Sequence, residues 1–167
     1  SSNTSVGYGT LYSNTIGNSN TALGYEALYT NVAADRNVAI GYRSLYTMTR
    51  STTADTYNVG VGNESLYSLT TGAYNVAIGG KAAYTSTTGS ANVAIGNDAF
   101  YYNTTGDDNV AVGANALKAN TTADNNTAIG KDALTANTTG GTNSAFGYGA
   151  LDANSTGGNN NSFGAYS

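Results

Sequence analysis

Any chemistry in this chain has to come from carboxylates, hydroxyls, phenols, amides and six Lys and Arg, because it contains no His and no Cys. That excludes the common nucleophilic triads, zinc centres and haem ligation. Asp107, Asp108 and Asp124 fall in loop-like stretches and could meet in space around a Ca²⁺ ion. Their spacing matches no known calcium loop, however, and solvated loop acids are the better reading. Gly79-Gly80-Lys81 and Gly130-Lys131 lack the upstream Gly and the following Ser or Thr of a phosphate loop, so neither is a nucleotide site. No cofactor or metal is expected. The triplets Asn103-Thr104-Thr105, Asn120-Thr121-Thr122 and Asn137-Thr138-Thr139 each satisfy N-x-S/T and are candidate glycosylation sites. Ordinary turn chemistry explains most such matches in a chain so rich in Asn and Thr. A column of Thr along one exposed edge would still suit O-linked sugar on a secreted filament. Ice is a poor match for the same Thr rows, since the pairs sit in a loop beside Gly rather than along a flat strand.

The elements that position these residues repeat. A template of Asn, a β-branched or similar residue, a small residue, a large apolar residue and Gly starts at Asn3, Asn20, Asn37, Asn58, Asn75, Asn92, Asn109, Asn126, Asn143 and Asn160. Every step is 17 residues except the 21 between Asn37 and Asn58. A short period held end to end marks a solenoid, which makes residues 1–167 one repeat domain. We number each coil from its Asn.

Position 4 is always large and apolar, as at Ile78 and Ile95, and position 5 is always Gly, as at Gly79 and Gly96. Positions 2 to 4 read as a short strand, ended by the Gly. A second strand is expected over positions 8 to 10, where a small residue, an apolar residue such as Leu117 or Leu134, and often Tyr follow one another. The large residues at positions 4 and 9 are expected to fill the interior. Asn-Thr-Thr-Gly at positions 12 to 15 is a loop signal. The four extra residues of the irregular coil lie around Met48 to Thr53 and should bulge from that loop side. The expected fold is therefore all-β: a parallel β-solenoid, or β-roll, of 17-residue coils with two short strands each, assembled as a fibre.

Composition agrees. There are 22 Gly and no Pro, as in a stack where a Gly turns every coil and most backbone N–H groups are paired. Net charge is -4, and the six Lys and Arg are scattered singly, so nucleic acid is an unsuitable partner. No apolar run reaches the ~20 residues of a membrane span, and no signal peptide is visible. The chain opens on Ser1 and reads as a processed product or a piece of something longer. The Asn column at position 1, including Asn75 and Asn92, should form a stacked amide ladder. The Tyr column at position 10 and its neighbours at position 6 should stack as well, with sugar binding as the alternative.

The units Asn75 to Gly89 (NVAIGGKAAYTSTTG), Asn126 to Gly140 (NTAIGKDALTANTTG) and Asn20 to Tyr29 (NTALGYEALY) resemble tandem repeats of bacteriophage tail fibres. Their AIG core is similar, more loosely, to the head repeats of trimeric autotransporter adhesins, whose coils are shorter. The resemblance covers nearly all of residues 3–167 and implies an elongated, trimeric, extracellular β-structure used in attachment. It brings no active-site residue. The functional expectation is a non-enzymatic fibre shaft whose partners are copies of itself, as a trimer or an end-to-end filament, and a cell-surface glycan. The alternative expectation is a self-assembling, glycosylated cell-surface filament.

Overall fold

The computed structural model describes residues 2–167 and is a β-solenoid without a helix. Each coil supplies one three-residue strand at positions 2 to 4. These are β1 (Thr4–Val6), β2 (Thr21–Leu23), β4 (Val38–Ile40), β6 (Val59–Val61), β7 (Val76–Ile78), β8 (Val93–Ile95), β9 (Val110–Val112), β10 (Thr127–Ile129), β11 (Ser144–Phe146) and β12 (Asn161–Phe163). They form a single 10-stranded sheet, every pairing parallel. The register puts like on like: Val93 beside Val76, Ala94 beside Ala77, Ile95 beside Ile78. A second sheet, β3 (Ala34–Asp35) with β5 (Ala54–Asp55), exists only beside the irregular coil.

Two expectations are corrected. Positions 8 to 10 are not a strand. The position-9 residue has a left-handed backbone in each of the nine coils that reach it, with φ of 51° at Leu28, 55° at Phe100 and 50° at Leu117. One left-handed residue reverses the pleat, so the chain bends here instead of extending. It still bonds coil to coil: the Phe100 N–H donates to the Ala116 carbonyl at 2.9 Å, and the Tyr102 N–H to that of Lys118 at 3.0 Å.

The second correction concerns which side chains point inward. Ile78 and Ile95 are 41% and 37% exposed, while Ala77 and Ala94 at position 3 are buried. The core is built from the Ala columns at positions 3 and 8 and from Leu117, Leu134 and their equivalents at position 9. The coil is too narrow for anything larger at position 3. Where position 3 is Gly60, a Cβ added there would lie 2.6 Å from the Ser44 hydroxyl and 3.1 Å from that of Ser65. Those two coils carry Ser at position 8, and the missing methyl of Gly60 makes room for their hydroxyls. Facing polar pairs replace Ala against Ala at both ends of the stack, Ser5 with Thr10 and Ser162 with Ser167.

The irregular coil also departs from expectation. Met48 is fully buried at position 12, so the excursion is confined to the residues after it, with Ser51, Thr52 and Thr53 exposed. The chain then rejoins the wall at β5, ahead of Thr56. Thr56 donates to the Asp35 carbonyl at 3.0 Å and shares a 2.7 Å hydrogen bond with the Asn37 side chain.

Candidate functional site

The residues singled out above line up as columns along the rod, and each column has its own chemistry. At position 1, Asn side chains bind each coil to the next. The Oδ1 of Asn75 accepts the Asn92 backbone N–H at 3.0 Å, and the Oδ1 of Asn92 accepts that of Asn109 at 3.0 Å. The Nδ2 of Asn92 donates to the Gly106 carbonyl of its own coil at 2.9 Å, tying the start of the coil to position 15. The backbone link runs unbroken from Asn3 through Asn160, 2.8 Å at its first step and 2.9 Å at its last. Stacked amides satisfy donors and acceptors that would otherwise be buried without partners. One buried nitrogen of the column stands apart: Nδ2 of Asn126 has no partner.

Gly79 and Gly96 at position 5 sit at φ of 137° and 133°. A Cβ on Gly96 would lie 2.7 Å from the carbonyl carbon of Gly113 in the next coil. Both the backbone conformation and the closeness of the neighbouring coil therefore demand Gly.

The sequon columns divide. Asn103, Asn120 and Asn137 are fully buried at position 12. The Asn103 Oδ1 accepts the Gly106 N–H at 3.0 Å, and Nδ2 of Asn120 and of Asn137 donates to the Asn Oδ1 one coil earlier. The folded coil has no room for an N-linked sugar on these amides, which corrects the N-glycosylation expectation at all three. Thr104, Thr121 and Thr138 are half-buried or at the surface, and each donates its hydroxyl to a carbonyl of the next coil, at 2.9, 3.1 and 2.9 Å. Thr105, Thr122 and Thr139 at position 14 are exposed, and these are the hydroxyls in the column that face outward for a modification.

The acids also work within the stack. The Asp107 Oδ1 accepts the Ser90 N–H at 2.7 Å, and the Asp124 Oδ1 accepts the Asp107 N–H at 2.7 Å. Among the described residues no three acidic, His or Cys side chains converge. Position 7 carries paired charges, Glu26 with Arg43 in the next coil at 2.7 Å and Glu64 with Lys81 at 3.9 Å. Further along, Lys118 reaches back to Asp98 at 3.2 Å. Hydrogen bonds from Lys131 and Asn115 lower the pKa of Asp132 below the usual carboxylate value.

The Tyr column at position 10 is a continuous stack. Tyr12, Tyr29, Tyr46, Tyr67, Tyr84 and Tyr101 lie ring over ring, with centroids 5.0 Å apart at Tyr12–Tyr29 and 5.3 Å at Tyr29–Tyr46. Burial raises the Tyr29 and Tyr84 phenols above their ordinary value, with neighbouring rings adding to the effect. Tyr8, Tyr25 and Tyr42 stack in the same way at position 6. The Arg43 guanidinium lies over the faces of Tyr42 and Tyr46 at 5.1 and 5.3 Å.

Sequence reasoning missed one surface, the outward rows at positions 2 and 4. The signal was present, because position 3 is never larger than Ser in any coil. Neither protein-family models, nor curated proteins, nor solved structures yield a match to this chain.

Proposed function

We propose that the chain is a non-enzymatic structural repeat, the shaft of an extracellular attachment fibre of the phage tail-fibre or adhesin kind, associating with copies of itself. The observation that carries this reading is the unbroken Asn ladder from Asn3 to Asn160, which repeats the same backbone N–H to Oδ1 bond at every step from coil to coil. A stack built that way presents one surface at every level and gains length by adding coils. With ten strands about 4.8 Å apart, it is a rod of roughly 45 Å. Such an element separates a tip from its anchor, and the tip would engage a cell-surface glycan.

Small-angle scattering and electron microscopy of the purified chain test the reading. Discrete short rods support it, and a compact globular envelope overturns it. Micrometre-long fibres growing from this chain alone would assign it instead as a self-assembling filament subunit. Mass spectrometry of natural material decides on sugar, and unmodified Thr105, Thr122 and Thr139 would remove O-glycosylation from the account.

A further inference from the structure

We infer that two outward Tyr stacks, Tyr8–Tyr25–Tyr42 and Tyr57–Tyr74, are modification sites, where a peroxide-driven one-electron oxidant joins rings of successive coils as dityrosine. This goes beyond the shaft reading and stands on ring geometry alone. Ring centroids lie 5.3 Å apart at Tyr8–Tyr25, 5.4 Å at Tyr25–Tyr42 and 5.7 Å at Tyr57–Tyr74, with planes within 16° of parallel. Rings related by the coil translation have like atoms at about the same spacing, so each ortho carbon has its counterpart in the next coil. All five rings are exposed, Tyr8 at 73% and none below 40%. They are free to reorient at the surface, whereas Tyr29, Tyr46, Tyr67 and Tyr84 of the position-10 stack are half-buried.

The usual competing targets of an oxidant are absent or shielded. The chain has no Cys, Trp or His, and its one Met, Met48, is fully buried. The oxidant takes a proton and an electron from each of two phenols. The resulting phenoxyl radicals join through their ortho carbons, and the ring hydrogens at those carbons move to the oxygens and restore both phenols. Each bond thus removes two hydrogens from the chain and reduces one hydrogen peroxide to two waters. Tyr57 has a proton acceptor in place, since its hydroxyl donates to the Asp55 carboxylate at 3.3 Å and accepts from Arg36 at 2.5 Å. Partners held one coil apart react within a single molecule, at effective concentrations that free chains do not reach. Each bond links residues 17 apart, and closing that loop restricts the unfolded chain as a disulfide does.

Treating the dilute folded chain with hydrogen peroxide and a peroxidase tests this. Dityrosine fluorescence should grow at a rate per chain that does not change on dilution. The chain mass should fall by two hydrogens per bond, and peptide maps should join Tyr25 to Tyr8 or Tyr42, and Tyr57 to Tyr74. Tyr25→Phe should lose the Tyr25 bonds and keep the other, and Tyr74→Phe should do the reverse, while Phe preserves each stack. The coupled chain should melt at a higher temperature than the untreated one. The chain in denaturant is a control that needs no variant, and there the yield should fall and this pairing disappear. The same pairs at equal yield from the denatured chain overturn the inference. So do tyrosines consumed without dityrosine, bonds formed only between chains, or bonds confined to the position-10 stack. None of these outcomes bears on rod shape in scattering, so the shaft reading stands or fails separately.

Discussion

Two columns of Asn run side by side through this molecule, and the chain treats them differently. Position 1 is Asn in every coil, whereas position 12 is Asn in only six and becomes Met48, Leu69 and Ser86 in the middle of the rod. All three replacements are buried, Met48 and Leu69 completely. The position-1 amide is the acceptor for the next coil's backbone and the donor to its own coil's position-15 carbonyl. The position-12 amide mostly closes its own turn, as Asn103 does around Gly106. Its contact with the neighbouring coil is a single side-chain bond of 3.1 to 3.4 Å. A link between coils cannot be exchanged for an apolar contact without stranding backbone groups. A turn cap is exchanged at smaller cost, because an apolar side chain fills the same space and one backbone N–H, that of the Gly at position 15, loses its partner.

The sharpest way to break this contrast is Asn92→Leu. It removes the acceptor of the Asn109 N–H and Nδ2 and the donor to the Gly106 carbonyl. Buried groups left without partners cost about 1–3 kcal/mol each, so a loss of about 4 kcal/mol is expected. Denaturant midpoints measure the total, and hydrogen exchange at the Asn109 amide shows where it arises. A loss below about 1 kcal/mol would mean that the amide ladder is incidental.

A third column extends the comparison, because its requirement is on the backbone and not on bonding. Leu117 is buried in the left-handed region at φ 50°. Leu117→Met keeps the volume and should cost less than about 1.5 kcal/mol. Leu117→Ile keeps the volume too, but a β-branched residue in that backbone adds strain, and a total of about 3 kcal/mol is expected. Equal melting temperatures for the two variants would show that position 9 relaxes out of the left-handed region.

The exchangeable column gives the smaller number. Asn103→Leu repeats what Leu69 already does naturally. It should cost about 1 kcal/mol, the worth of a turn bond, partly offset by apolar burial. A loss matching that of Asn92→Leu would erase the distinction between the columns.

These contrasts also show what could be read in advance. The period, the invariant Asn and the invariant Gly were legible because each rests on a requirement that any substitute fails. Which face of the strand points inward was not. Ranking by apolar size puts Ile95 inside and Ala94 outside, yet the width of the coil reverses that order, and width is a tertiary quantity. The pairing of Gly60 with Ser44 and Ser65 carried the information, as did the absence of Val, Ile and Thr at position 9, since β-branching is strongly disfavoured in a left-handed backbone. The buried state of Asn103 was likewise hidden, because an Asn-Thr-Thr-Gly run reads as a surface loop whether or not its amide turns inward.

The smallest effect has the opposite sign. The last residue of each complete coil is left-handed, at position 17 in the regular coils, and residues that tolerate this backbone, Asn125 and Asn159, sit one coil before and one coil after Thr142 at φ of 60° and 60°. Thr142 occupies the same region at φ 61° and is exposed, so its strain is not repaid by packing. Asn visits that region at little cost, whereas β-branching makes Thr an outlier there. Thr142→Asn should therefore raise stability by about 1 kcal/mol, seen as a higher melting temperature with an unchanged spectrum. Nothing is gained at the neighbouring position 16, where the Asp124 carboxylate already bonds the coil before it. If the substitution destabilises the chain, the threonine is held by something other than its backbone, and the account of left-handed strain at this corner of the coil fails with it.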